Sequence, residues 1–133
     1  MNLKKIGLSL ALSAVALVTP LTSAFAAGGE WDYLGWETTH WNSTTGYYIT
    51  DPVYSSGGDF KVCGTVNTNA VMYLYEYDSG SNKDEYVGQL NAYAGKESCK
   101  IFRSIGKFVD GDNKKAEFYI RTHANISGAE FWD

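Results

Sequence analysis

The sequence has few of the residues that build metal clusters, redox sites or nucleic-acid surfaces. Its 133 residues include two cysteines and two histidines, and it contains no Cys-x-x-Cys spacing of the kind used by structural zinc sites. Lysine and arginine together number 11, against 15 aspartates and glutamates, which gives a formal net charge of −4. Because binding to nucleic acid depends on clustered positive charge, this balance argues against a nucleic-acid partner.

Recognisable catalytic motifs are also missing. The sequence contains no Gly-x-Ser-x-Gly nucleophile elbow, no His-Glu-x-x-His motif and no phosphate-binding glycine loop. The two histidines, His40 and His123, lie far apart in the sequence, and nothing nearby identifies a partner for general-base chemistry. We therefore expect a non-enzymatic protein. A small hydrolase that uses a pair of the acidic residues is the alternative.

Only one long apolar run is present, and it lies at the amino terminus. Residues 1–26 have two lysines at positions 4 and 5, continue as an apolar stretch and end in Ala-Phe-Ala, the order that is typical of a bacterial secretory signal peptide. We predict cleavage after residue 26 and a single mature domain over residues 27–133, secreted to the extracellular space or to the periplasm where an outer membrane exists. Cleavage removes two lysines and no acid, so the formal net charge falls from −4 to −6. No later run approaches the about 18 apolar residues that span a bilayer, so no transmembrane segment is expected.

The two cysteines of the mature domain, Cys63 and Cys99, are predicted to form one disulfide. An even number of cysteines in a small exported domain is most simply explained by pairing in an oxidising compartment. In the chain-entropy description, a bridge that closes a loop of this length stabilises the fold by roughly 3 to 4 kcal/mol.

Period-2 alternation dominates the mature chain, and helical periodicity is absent from it. Clusters of Gly, Asn, Ser and Asp separate the alternating segments, as expected for turns between antiparallel strands. The pattern predicts an all-β fold, a small antiparallel β-sandwich of about seven or eight strands, with a closed β-barrel as the alternative. The clearest predicted strands are residues 60–66, 71–78, 98–104, 115–123 and 129–132. Both faces of the segment 71–78 are substantial, which predicts a central strand.

Aromatic residues are concentrated at the start of the mature domain. Flat rings with polar edges stack on sugars and anchor protein interfaces, so we predict Trp31, Trp36, Trp41 and Tyr47 as ligand-contact residues. The alternative is that these rings fill the interior, because the chain is poor in leucine and isoleucine and a domain of this size must bury most of its unfolded surface.

Acidic residues crowd the segment that ends one predicted strand and follows it. Carboxylate oxygens are the ligands that Ca²⁺ prefers, so Glu76, Asp78, Asp84 and Glu85 form a candidate calcium site. A solvated acidic turn is the alternative interpretation. A second acidic segment, residues 110–113, is predicted to be a hairpin tip, since lysines follow where a further oxygen ligand is needed.

Taken together, these features favour a secreted, non-enzymatic binding protein that acts by occupying an extracellular target. It would act as an enzyme inhibitor, as an antimicrobial or toxin-like factor, or as a binder of a cell-envelope glycan. The expected partner is an extracellular protein or a cell-envelope glycan, and no cofactor is expected other than Ca²⁺. A calcium-dependent surface-binding module and a small secreted hydrolase are the alternative functions. The sequence does not indicate an oligomeric state.

Overall fold

A computed structural model describes residues 30–79 and 83–133 of the chain. The predicted signal peptide, residues 1–26, lies outside the described residues. The described residues include no helix that could span a bilayer.

The described residues fold into ten strands and one short 3-10 helix. The helix, Ile105–Phe108, lies between the eighth and ninth strands. The strands are β1 (Tyr33–Glu37), β2 (His40–Asn42), β3 (Tyr47–Ile49), β4 (Val53–Ser55), β5 (Phe60–Thr65), β6 (Ala70–Glu76), β7 (Glu85–Ala92), β8 (Glu97–Phe102), β9 (Ala116–Thr122) and β10 (Ala129–Trp132).

The strands form two antiparallel sheets that pack face to face. The four-stranded sheet has the order β1-β10-β5-β8, and the six-stranded sheet has the order β2-β3-β9-β6-β7, with β4 also paired to β9. Neither sheet closes into a barrel. The predicted β-sandwich is therefore confirmed, and the barrel alternative is rejected. The structure has ten strands rather than seven or eight, because three strands of three residues each lie in the segment before β5.

The five segments predicted most clearly as strands correspond to β5, β6, β8, β9 and β10. The central position of β6 is confirmed, since it pairs with β7 on one side and β9 on the other. Strand β7 is not among the segments predicted most clearly, and its Gly88 and Asn91 are poor strand formers. The predicted hairpin tip at residues 110–113 is instead a turn that joins the 3-10 helix to β9.

The core lies between the inner faces of the two sheets. Alternate residues of β9, Ala116, Phe118 and Ile120, are fully buried, as the alternation predicts. Phe118 packs against Phe60 of the opposite sheet with ring centroids 4.7 Å apart. At Gly64, a Cβ atom would lie 2.6 Å from the Met72 sulfur, so a larger residue here would displace the buried Met72 side chain.

The predicted disulfide between Cys63 and Cys99 is confirmed. The two cysteines are directly opposite one another on β5 and β8, with their Cα atoms 4.0 Å apart. Their neighbour Val62 points into the core, so the alternation of the strand places the disulfide on the outer face of the four-stranded sheet.

Candidate functional site

The four aromatic residues predicted to contact a ligand lie in different places. Trp36 is opposite Glu130 on β10, on the four-stranded sheet, and Trp31 lies 5.1 Å from the Lys61 ammonium on the same sheet. Trp41 and Tyr47 belong to the other sheet. Trp41 is paired with Tyr48, the neighbour of Tyr47, so Trp41 and Tyr47 face opposite sides of the β2-β3 pair. The structure therefore brings Trp31 and Trp36 to one sheet and does not unite them with Trp41 or Tyr47.

A larger set of aromatic side chains lies on the outer face of the six-stranded sheet. Residues that pair directly on adjacent strands share a face of the sheet, so the paired residues form rows that run across the strands. One row contains His40, Ile49, Arg121, Tyr73 and Gln89. We call this surface the tyrosine face, and its tyrosines are Tyr47, Tyr73, Tyr75, Tyr86 and Tyr119.

Aromatic contacts hold the rings of the tyrosine face in position. Tyr75 lies 5.6 Å from Tyr86 and 6.1 Å from Tyr119, measured between ring centroids. At the other end of the face, the rings of Tyr47 and His123 are 4.3 Å apart. The tyrosines of these pairs stand on strands, so their positions are fixed by the sheet, whereas His123 follows the last residue of β9.

A partly buried ion pair lies at the centre of the tyrosine face. Arg121 donates a hydrogen bond from Nη2 to Asp84 Oδ2 over 2.6 Å and another from Nε to the Tyr119 hydroxyl over 2.7 Å. Tyr119 donates a short hydrogen bond to the same Asp84 oxygen. The guanidinium carbon of Arg121 also lies 4.1 Å from the ring centroid of Tyr75, a cation–π arrangement.

The environment of this network fixes its protonation. Burial, together with the hydrogen bond to Asp84, raises the pKa of Tyr119 above its ordinary value, so the phenol keeps its proton at neutral pH. Burial disfavours the charge of Arg121, but contacts with Tyr119 and Asp84 outweigh that effect and raise the pKa of Arg121. At the centre of the face, Arg121 therefore keeps its positive charge and the buried phenol of Tyr119 keeps its proton.

The outer face of the four-stranded sheet carries a second aromatic surface, which we call the tryptophan face. Tyr33 and Trp132 are paired in register, with ring centroids 5.5 Å apart. The Lys61 ammonium lies 4.0 Å from the Trp132 ring. Tyr33 is 57% exposed and Trp36 is 41% exposed. The two aromatic surfaces therefore lie on opposite sides of the sandwich.

The structure brings together three of the four acidic residues predicted as calcium ligands. One carboxylate oxygen from each of Glu76, Asp78 and Glu85 lies within 4.8 Å of the others. We call these three residues the acidic corner. The fourth residue, Asp84, is held by Arg121 and Tyr119 through Oδ2, and its Oδ1 accepts a hydrogen bond from the backbone N–H of Asp78 over 3.3 Å.

Glu76 differs from the other acidic residues because it is buried. Its side chain is 1% exposed and lies on the inner side of β6, in line with Met72 and Leu74. Burial raises the pKa of Glu76 from 4.5 to about 7, against a hydrogen bond from the backbone N–H of Glu117 that lowers it, and the neighbouring charge of Asp78 raises it further.

An open groove of about 450 Å³ lies beside the acidic corner. It is lined by the segment after β6 and by the turn before β9, and its lining includes the carboxylates of Asp78, Asp110, Asp112 and Glu117. Asp78 therefore belongs both to this groove and to the acidic corner.

The sequence analysis did not identify the central residues of the tyrosine face. Arg121 and Tyr119 are separated from Asp84 by 37 and 35 residues, so no local pattern joins them. A partial signal was present, since alternation places Tyr73 and Tyr75 on the same side of one strand.

Comparisons with known proteins identify the family of the chain. Residues 33–131 match the family model described as the YndA coiled coil domain. The chain is also 42% identical over 125 residues to the uncharacterized protein YndA of Bacillus subtilis (strain 168), in an alignment that covers 89% of this chain and 88% of the relative. The chain belongs to this family. No solved structure matches it.

The structure of this YndA family member differs from the family's description. Coiled coils consist of long helices with a heptad repeat of apolar residues. Among residues 30–79 and 83–133, the helical structure is limited to the 3-10 helix Ile105–Phe108, and the family match covers strands β1 to β10 apart from the last residue of β10. In this chain, the matched region is a β-sandwich.

Proposed function

We propose that this protein is a secreted, non-enzymatic binding protein that binds a cell-envelope glycan through its tyrosine face. Secretion is supported by the signal-peptide pattern of residues 1–26 and by the disulfide, since disulfides persist in oxidising compartments. A bacterial setting is supported by the Bacillus subtilis relative.

The observation that carries the proposal is the arrangement of rings and polar groups on one sheet. Tyr73 and Tyr75 stand on β6, between Arg121 of β9 on one side and Tyr86 of β7 on the other. Strands in a sheet are about 4.8 Å apart, and alternate residues along a strand are about 6.6 Å apart. Rings with this spacing offer a broad and shallow surface on which successive sugar rings can stack, and tyrosine adds a hydroxyl at the edge of each ring.

Polar side chains around the rings supply hydrogen-bonding groups for sugar hydroxyls. Gln89 lies in the same row as Tyr73, and Asn91 is opposite Val71 in the next row. Arg121 is held by Asp84, so its remaining N–H groups are oriented before a ligand arrives. A surface in which apolar rings give contact area and a few fixed polar groups give orientation is typical of ligand-binding sites.

The proposal is tested by binding to washed bacterial cell envelopes, before and after protease digestion of the envelopes. The variant Tyr73→Ala/Tyr86→Ala removes two rings from the tyrosine face. The matched control is Tyr33→Ala on the opposite sheet, since Tyr33 is 57% exposed and Tyr86 is 53% exposed. We expect the double variant to bind at least about fivefold more weakly, a loss that corresponds to about 1 kcal/mol or more, and the control to bind within twofold of wild type.

Protease digestion separates a glycan target from a protein target. Retained binding to digested envelopes supports the proposal, and competition by soluble envelope oligosaccharides should then release the protein. Loss of binding after digestion, or equal weakening by Tyr33→Ala, contradicts it. Circular dichroism and thermal unfolding of each variant test whether the fold is unchanged, which matters most for Tyr73 because its side chain is partly buried.

A further inference from the structure

The acidic corner brings like charges together at the ends of two paired strands. Glu76 of β6 and Glu85 of β7 are directly opposite one another in register. Asp78 follows Glu76 by two residues, and one oxygen from each of the three side chains lies within 4.8 Å of the others. Like charges that are directly opposite on antiparallel strands destabilise the pair, so a cation held between these side chains would relieve the repulsion.

The buried carboxylate of Glu76 is only partly satisfied by the protein groups of the described structure. Glu76 is 1% exposed. Its Oε1 accepts a long hydrogen bond of 3.5 Å from the backbone N–H of Glu117, and its Oε2 is buried without a hydrogen-bond partner in the described structure. Buried polar atoms are nearly always satisfied, so this oxygen is available to a further partner such as a cation.

Basic side chains do not neutralise the acidic corner within the described residues. The two ion pairs found across residues 30–79 and 83–133 join Arg103 to Asp59 and Arg121 to Asp84. Neither pair includes an acid of the corner. Three carboxylates, one of them fully buried, therefore face one another without a positive partner there.

We propose that Glu76, Asp78 and Glu85 together bind one divalent cation, Ca²⁺. Two oxygens on opposite sides of Ca²⁺ are about 4.6 to 5.2 Å apart, because each Ca–O distance is about 2.3 to 2.6 Å. Oxygens that lie within 4.8 Å of one another fit around one such ion. Water completes the six to eight ligands that Ca²⁺ takes.

The chemistry of the ligands favours Ca²⁺ over other common divalent ions. Each of the three ligands is a carboxylate, whereas zinc sites are built mainly from histidine nitrogen and cysteine sulfur, with at most a minority of carboxylate ligands. Mg²⁺ demands a nearly ideal octahedron with oxygens at about 2.0 to 2.1 Å and keeps several of its waters. Three protein ligands are few for Ca²⁺, so we expect weak binding, with a dissociation constant in the range of extracellular calcium modules, about 10⁻⁴ to 10⁻³ M.

The proposed ion also lies next to the network at the centre of the tyrosine face. Asp78 binds the ion with its side chain, and its backbone N–H donates to Asp84, which holds Arg121. The test of the calcium site uses the ion alone, so its outcome does not depend on the proposed glycan binding.

The experiment measures thermal unfolding of the purified protein while Ca²⁺ is raised to 10 mM, with NaCl of equal ionic strength as the salt control. A ligand of the native state raises the melting temperature by mass action, and we expect an increase of about 5 to 10 °C at tenfold excess over the dissociation constant. Chelation should reverse the increase, and the same concentration of Mg²⁺ should give less than half of it. In parallel, Tb³⁺ should show luminescence excited through nearby tyrosines, and Ca²⁺ should displace it.

Two substitutions make the test specific. Glu76→Gln keeps the shape of the buried side chain and removes its charge, so the variant should fold yet lose the calcium-dependent increase and the Tb³⁺ signal. The control, Asp112→Asn, removes a carboxylate from the neighbouring groove and should leave both readouts within error of wild type. The proposal is overturned by no calcium-dependent increase in wild type, by an equal increase with Mg²⁺, or by a full increase in Glu76→Gln.

Discussion

Replacing Glu76 with glutamine should stabilise the metal-free protein, and this gain should grow with pH. Burial raises the pKa of Glu76 from 4.5 to about 7. Between these two values the folded protein binds more protons than the unfolded chain does. The contribution of Glu76 to the free energy of unfolding therefore decreases as pH rises through this window, and the penalty is complete above about pH 7.

The size of the effect follows from the pKa shift. A change from 4.5 to about 7 corresponds to about 3 kcal/mol, at about 1.4 kcal/mol for each pKa unit. Glutamine carries no charge, so the variant avoids this penalty, and any cost of burying the amide is independent of pH. Relative to wild type, the free energy of unfolding of Glu76→Gln should therefore rise by about 2 to 3 kcal/mol between pH 5 and pH 8.5. This is a large share of the about 5 to 15 kcal/mol that stabilises a typical domain.

The measurement is urea unfolding followed by tryptophan fluorescence at pH 5, 6, 7 and 8.5 in buffers free of divalent cations. Glu97→Gln on β8 is the control, because Glu97 is an exposed acid on the other sheet, and it should differ from wild type by less than about 0.5 kcal/mol at each pH. A difference between Glu76→Gln and wild type that does not change with pH would refute the reasoning. So would a variant that becomes less stable than wild type as pH rises.

Two further predictions concern the ion pairs and the disulfide. Arg121→Ala leaves Asp84 without its cation in a site where both side chains are about one-fifth exposed. This substitution should lower the free energy of unfolding by about 2 kcal/mol or more. Arg103→Ala breaks a pair whose arginine is 71% exposed, so it should lower the free energy of unfolding by less than about 1 kcal/mol. Equal losses in urea unfolding would contradict this assignment. Reducing the Cys63–Cys99 bond, which spans 36 residues, should lower the free energy of unfolding by about 4 kcal/mol, measured by urea unfolding with and without reductant, and an unchanged midpoint would contradict the prediction.

Local alternation was sufficient to predict much of the fold. The segments of β6 and β9 have a period of two, and the residues predicted to share a face do so: Ala116, Phe118 and Ile120 are all buried. Alternation also supported a sandwich, because each sheet has one face in the core. Strand order was not predictable, since the pairing of β6 with β9 joins segments that lie far apart in sequence.

The candidate sites were only partly predictable for the same reason. The spacing of Glu76 and Asp78 places both on one side of a strand, and Glu85 joins them through the register of β6 and β7. The sequence could not show that Asp84 has a different role from the other three acids, because its partner Arg121 lies 37 residues away. In contrast, Trp36 and Trp41 are close in sequence but belong to different sheets, since the chain crosses the sandwich between β1 and β2.

The disulfide has a topological consequence for the acidic corner. Between Cys63 and Cys99 the chain leaves the four-stranded sheet, forms β6 and β7 in the other sheet and returns as β8. These residues form a covalent ring that contains the whole acidic corner and the segment that joins β6 to β7. A protease that cuts one peptide bond inside the ring opens it, but the two products stay joined through the sulfurs. A single cleavage between Cys63 and Cys99 therefore leaves the two parts of the chain covalently joined.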